Sequence, residues 1–237
     1  MKMLGELLKA GSYGEVPVEF CAPDRHEPGR TPALLYAAGT ESGPADRIQT
    51  LLSSLLVPRG WLLISFRFPS LTAWRQSPTA LVALRKIYSH VVRKILIHNK
   101  FRPGPLFAGG FSLGARIATH VAREIRFTGL VLLSYPLHPP WRPQLLRHQH
   151  LYQLDTPILF LSGTRDPCAL PPLIDGVAKR IGDSASLRSL QGVDQDLLTQ
   201  DANVITQRDL DEQVINELER WMRTTLDARL RHEPGKQ

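Results

Sequence analysis

The sequence predicts an α/β fold, a mostly parallel sheet flanked by helices, and three observations carry that reading. Apolar runs of strand length alternate with amphipathic segments of helix length along the chain. Several of the runs are apolar on both faces, as strands covered by helices on either side must be. One Gly-x-Ser-x-Gly string stands at the junction between a strand and a helix.

In chain order, residues 16–22 form the first expected strand. Residues 33–38 (Ala-Leu-Leu-Tyr-Ala-Ala) form the second, bounded by Pro32 and Gly39, and 61–68 the third, started by Gly60 and stopped by Pro69. Further strands are expected at 106–110, 130–135, 158–161 and 186–190. Helical periodicity places helices at 46–56, 78–97, 115–125, 170–181 and 209–230. Pro78 suits a first helical turn, with Ser77 as its N-cap. The repeated order strand, helix, strand implies right-handed crossovers. A single domain over 1–230 takes in all these elements, and the tail 231–237, with Pro234 and Gly235, is expected to fray. Only roughly twenty residues separate the strand ending near Leu137 from the one starting near Pro157, too few for a separate lid domain.

Composition excludes several classes. With 237 residues, 43% hydrophobic and 22% charged, the chain is in the globular range. A chain of this size buries roughly 70% of its unfolded surface, so its core requires neither disulfides nor a metal. Two cysteines, Cys21 and Cys168, make no disulfide framework and point to a reducing, cytoplasmic setting. The first twenty residues offer no uninterrupted apolar stretch for a secretory leader, and no run reaches membrane-spanning length. The net charge is +7, but its basic residues are scattered. The densest group, Arg85, Lys86, Arg93, Lys94, Lys100 and Arg102, accompanies Leu81, Leu84, Tyr88, Val91 and Ile95 at helical spacing, the pattern of a solvated helix face. Neither nucleic acid nor a membrane is an expected partner.

The most informative string is Gly110-Phe111-Ser112-Leu113-Gly114, between the strand at 106–110 and the next helix. Such a turn forces the serine into a strained conformation, and side chains at positions 110 and 114 would collide with neighbouring backbone. Ser112 Oγ then projects above the carboxyl edge of the sheet, with the Leu113 N–H and the helix dipole facing a developing oxyanion. A dinucleotide fingerprint ending at Gly114 would need glycine at position 111, where Phe111 stands. Farther on, 158–167 reads as a strand followed by a turn carrying Asp166, placed to orient an imidazole; the alternative is an Asp-Pro turn that only starts the following helix.

Taken together, Gly109-Gly-Phe-Ser-Leu-Gly-Ala-Arg116, Ser134-Tyr-Pro-Leu-His-Pro-Pro140, the Arg147-x-x-His150-Leu151 pair and Leu161-Ser-Gly-Thr-Arg-Asp-Pro167 resemble the α/β-hydrolase superfamily. The resemblance runs over about 32–221 and is to a small dienelactone-hydrolase-like branch that includes testis-expressed relatives and a chromatin acetyltransferase-complex subunit. It implies an α/β-hydrolase fold with Ser112 as nucleophile, Asp166 as the acid, the N–H groups of Leu113 and Thr40 as oxyanion donors, and no cofactor. In that family the last loop usually reads Gly-x-Asp-His-Asp. Here the string is Gly192-Val193-Asp194-Gln195-Asp196, so Gln195 stands at the position of the triad histidine, and no histidine lies between His150 and His232. The first oxyanion loop also departs from the family, with Ala38-Gly39 where His-Gly is usual.

A carboxamide has no basic nitrogen near neutral pH and cannot take a proton from Ser112. His138, at the carboxyl end of the strand at 130–135, is the best candidate for a substitute base; the alternative is a loop residue that contacts substrate at most. His148 and His150 lack the acidic or cysteine neighbours of a metal site, and no metal is expected. His120 reads as structural, and Cys168 as a small buried hydrophobe rather than a second nucleophile. The leading functional expectation is a serine-hydrolase-type protein acting on a small ester or related acyl substrate, with activity impaired by the missing histidine. The alternative is a catalytically silent scaffold, a pseudoenzyme, that uses the fold to bind a ligand or a protein partner.

Overall fold

The computed structural model describes residues 2–39, 43–69 and 78–232. Eight strands among them join in one sheet: β1 (Lys2–Lys9), β2 (Glu15–Ala22), β3 (Ala33–Ala38), β4 (Leu62–Arg67), β5 (Leu106–Phe111), β6 (Gly129–Leu133), β7 (Ile158–Gly163) and β8 (Ala185–Leu190). Five helices accompany them: α1 (Pro44–Leu51), α2 (Pro78–Leu96), α3 (Leu113–Val121), α4 (Pro171–Ile181) and α5 (Gln207–His232). The sheet order is β1-β2-β4-β3-β5-β6-β7-β8. All pairs from β4 to β8 are parallel, whereas β1 with β2 and β2 with β4 run antiparallel.

Side-chain alternation along the strands divides the core between the two faces. Leu35, Ala108, Leu132 and Phe160 pack with Tyr88 and Val91 of α2, Ile117 and Ala118 of α3, and Ile174 and Val177 of α4. Leu34, Tyr36, Phe107, Val131 and Leu159 pack on the other face with Ile48 of α1 and Val214, Leu218 and Met222 of α5. Both faces of the central strands are therefore dry, which is why their sequences show no polar alternation.

The expected elements are present with local differences. The helix expected over 46–56 is an α-helix only to Leu51, then a π-helical turn at Leu52–Leu56 and a 3-10 turn at Val57–Arg59. Pro58 cannot donate to a regular helix, and Gly60 ends the segment at φ 97° with its N–H on the Val57 carbonyl. The helix after the elbow starts at Leu113 rather than Ala115 and stops at Val121. Strand β1 leaves no clear strand signal in the sequence. Its outer edge is unpaired, its face is only half covered, and Lys2, Gly5, Glu6 and Lys9 break any apolar run. Helix α5 extends through His232, so the first part of the expected tail is helical. Residues 233–237 and the proposed cap Ser77 lie outside the described residues. No helix among the described residues is long and apolar enough to cross a membrane.

Candidate active site

The parallel strands β5, β6 and β7 bring the proposed reactive residues to one edge of the sheet. Ser112 directly follows β5, at φ 50° and ψ −111°, a conformation that L-residues avoid. Its N–H extends the ladder to the Leu133 carbonyl at 2.9 Å, and its carbonyl accepts from Arg116 N at 3.2 Å to start α3. The strained residue is therefore held from both sides. Gly110 and Gly114 permit this turn by close approach: a Cβ on either would strike the Ala37 carbonyl oxygen of neighbouring β3. Gly110→Ala is accordingly expected to cost about 1–3 kcal/mol, the range for inserting a methyl into filled space. Urea unfolding checks this, and an unchanged midpoint would mean that β3 gives way at no cost.

Leu113 and Gly114 are the first residues of α3, where backbone N–H groups have no carbonyl one turn back. The Leu113 N–H thus sits at the helix N-terminus beside Ser112, as an oxyanion donor must. Thr40, the other expected donor, lies outside the described residues. Ala38 ends β3 fully buried, and Gly39 follows it.

Asp166 is in the turn after β7 and is 1% exposed. One carboxylate oxygen, Oδ1, accepts from the Cys168 N–H at 2.7 Å. The other, Oδ2, is buried and has no hydrogen-bond partner among the described residues. Burial is the main reason its pKa is pushed up to about 6; Asp194 and Asp196 push the same way, while the Cys168 N–H and His138 oppose. One oxygen of Asp166 is thus tied to backbone while the other is free to accept a hydrogen bond in a dry space.

The loop after β8 packs directly on this turn. Arg165 N donates to the Val193 carbonyl at 2.9 Å, and Gly192 N to Thr164 Oγ1 at 2.9 Å. Within the loop, Asp194 Oδ1 accepts from the N–H groups of Asp196 and Leu198. Arg47 of α1 clamps it from outside, donating to the carbonyls of Asp196 and Leu197 at 2.9 Å and pairing with Asp211 at 2.7 Å. Gln195 is held on this loop with its Oε1 3.6 Å from the Cys168 Sγ, which donates to it. Residue 195 is thus beside the turn that carries Asp166. The loop's clamp by Arg47, 149 residues away in sequence, is a contact that local pattern does not reveal.

His138 has a different environment from that of a free base. It is 1% exposed, and its Nδ1 donates to the Pro139 carbonyl at 3.0 Å. Its Nε2 accepts from the Leu170 N–H at 3.2 Å, so both ring nitrogens are engaged. Its own N–H donates to the Cys168 carbonyl at 3.0 Å. The ring ties the loop after β6 to the loop after β7, and the role of substitute base does not fit it. The surroundings of Cys168 disfavour its thiolate: burial, with the charge of Asp166 second, pushes its thiol up to about 11. His120 and His150 are stacked with ring centroids 3.9 Å apart, and no cluster of three or more His, Cys, Asp or Glu suited to a metal occurs among the described residues.

A groove of about 970 Å³ opens at the opposite, amino-terminal edge of the sheet, between the segment after α3, the start of β7 and α5. It is remote from Ser112 and takes no part in this site.

A strained serine at a strand-to-helix turn, on a parallel sheet with a buried aspartate at the same edge, is the framework of the serine hydrolases. The chain belongs to the alpha/beta hydrolase domain family, which it matches over residues 30–223. Its fold is similar to that of an alpha-beta serine hydrolase homologue from Coxiella burnetii, at 16% identity and a TM-score of 0.68, covering 92% of this chain and 98% of that one. A serine hydrolase without a lid from Xanthomonas campestris is similar at 15% identity and a TM-score of 0.67, with 93% and 95% covered. A dienelactone hydrolase from Anabaena variabilis matches at 14% identity and a TM-score of 0.65, with 89% and 95% covered.

Proposed function

We propose that this protein is a serine-hydrolase-type member of its family that acts on an ester or related acyl substrate, with turnover curtailed by the amide at position 195. The observation that carries the reading is the strained Ser112 at the head of α3, at the same sheet edge as the buried, half-paired Asp166. In this mechanism Ser112 Oγ attacks the acyl carbon, and the N–H of Leu113, joined by that of Thr40, receives the oxyanion. Gln195 cannot take the serine proton, so water accepts it as the Oγ–C bond forms. The tetrahedral adduct then expels the alcohol portion of the ester, which is reprotonated by water, and a second water hydrolyses the acyl-Ser112 ester to release the acid. Loss of the triad base lowers the rate by on the order of 10⁴ to 10⁶, while an intact oxyanion hole retains roughly 10³ over water. The two unpaired cysteines favour a cytoplasmic setting for this chemistry.

The test is labelling by a fluorophosphonate probe, which reports the serine without knowledge of the substrate. Slow labelling is expected at neutral pH, abolished by Ser112→Ala, because an alcohol without a base is a weak nucleophile. Rapid stoichiometric labelling would reveal a base that this reading lacks. Complete absence of labelling by a folded protein would favour the ligand- or protein-binding scaffold.

A further inference from the structure

Helix α3 continues from Ser112 with a basic face. Arg116 and His120 follow Ser112 at intervals of four, one above the other along the helix. The segment between β6 and β7 folds back over that face. Tyr135 Oη donates to the Arg147 carbonyl at 2.8 Å, Arg147 N donates to the Leu137 carbonyl at 2.7 Å, and Thr119 Oγ1 and His150 Nε2 are hydrogen-bonded at 2.8 Å. These ties hold Arg147 close enough to Arg116 for each charge to act on the other, and Arg147 also acts on the Cys168 thiol, two residues from Asp166. Arg116 lies one helical turn beyond Ser112, and Arg147 lies on the segment between β6 and β7 that covers this face.

The pair lacks an anion. Among the described residues neither guanidinium makes an ion pair or a side-chain hydrogen bond, whereas Arg47, Arg59, Arg188, Arg220 and Arg223 all have carboxylate partners. Arg116 Nε is buried with nothing to donate to among the described residues, and Nε2 of His120, one turn along the helix, is buried and unpartnered as well. Burial and the neighbouring Arg147 together pull the Arg116 pKa down from its usual value. Burial likewise keeps His120 and His150 neutral, held down to about 4 and about 3, so the positive charge at this place belongs to arginines: Arg116 and Arg147, with Arg123 and the Glu124-paired Arg85 also acting on His120. Desolvated cations of like sign are costly to place together without a counter-charge, and planar guanidinium forks suit carboxylate and phosphate oxygens.

We propose that Arg116 and Arg147 form a subsite for an anionic group, a carboxylate or a phosphate, on the ligand presented to Ser112, so that the substrates of this protein are anionic esters rather than neutral ones. The link to substrate rests on the hydrolase reading; the anion site itself does not. Both can be measured on the full chain. Succinate and inorganic phosphate, with succinamide as the neutral control, are titrated by calorimetry against the wild type, Arg116→Gln, Arg147→Gln and Arg142→Gln, an exposed arginine of the same loop. Saturable binding of at least one anion and none of succinamide is expected, weakened tenfold or more by either subsite variant and unchanged by Arg142→Gln. Succinate alone would identify a carboxylate site and phosphate alone a phosphate site. Ser112→Ala should bind the anion as the wild type does, so failure of Ser112 labelling with anion binding intact would sink only the hydrolase reading. Circular dichroism establishes that the variants fold, and Arg147→Gln, at a half-exposed position, serves if Arg116→Gln does not. Absence of saturable anion binding, or binding indifferent to both arginines, would overturn the proposal.

Discussion

Gln195→His is expected to raise hydrolysis of a small activated ester by on the order of 10² or more over the wild type. The reason is positional. Residue 195 is on a loop fixed by Asp194, by Arg47, by the Arg165 N–H on the Val193 carbonyl and by the Gly192 N–H on Thr164 Oγ1, so the substituted side chain starts from a defined place. It starts beside the turn of Asp166, whose Oδ2 has no partner and can accept from an imidazole Nδ1–H. That bond fixes the tautomer and leaves Nε2 as the base for Ser112. Initial rates with a nitrophenyl ester check it, and the gain must vanish in the Ser112→Ala double variant. No gain in a well-folded Gln195→His protein would mean that the oxyanion loop has also departed, with Ala38 as the first suspect. The scaffold reading would then lead.

What the sequence makes legible here is what short-range physics governs. The elbow is readable because Gly110 and Gly114 are demanded by a single backbone contact with Ala37, and the pentapeptide carries that demand in its own composition. Strands β3 to β7 are readable because burial on both faces leaves uninterrupted apolar runs. The antiparallel direction of β2 is not, since pairing direction leaves no mark on a strand's own residues. The engagement of His138 is equally hidden, for its partner Leu170 is 32 residues away and the bond is to a backbone N–H, which any residue but proline could supply. Arg116 and Arg147 both fall within strings that resemble the family, yet their lack of carboxylates emerges only when every acid has been placed. Composition counts the charges and cannot pair them.

Asp166→Asn is expected to make the protein more stable at pH 8, by about 2 kcal/mol, with the advantage disappearing near pH 4. The native carboxyl has its pKa pushed up to about 6 from an ordinary 3.8, so the fold prefers the protonated form. As pH rises from about 4 to 6 the unfolded chain gives up this proton first, native stability falls through that window, and above it the whole penalty of about 3 kcal/mol stands. Asparagine removes the charge and keeps the Oδ1 acceptor for the Cys168 N–H. Its amide nitrogen enters a space where Oδ2 has no partner, which returns part of the gain as a buried, unsatisfied donor. For a domain of this size the net change corresponds to roughly 4–8 °C in Tm. Thermal unfolding of both proteins at pH 4 and pH 8 checks the sign and the window together. Equal or lower stability of Asp166→Asn at pH 8 would mean that the carboxylate is compensated in solution by a partner the fold does not itself provide. The same substitution in the Gln195→His background should behave oppositely. There the imidazole stabilises the charged carboxylate, so removing the charge should take away both stability and the newly gained activity.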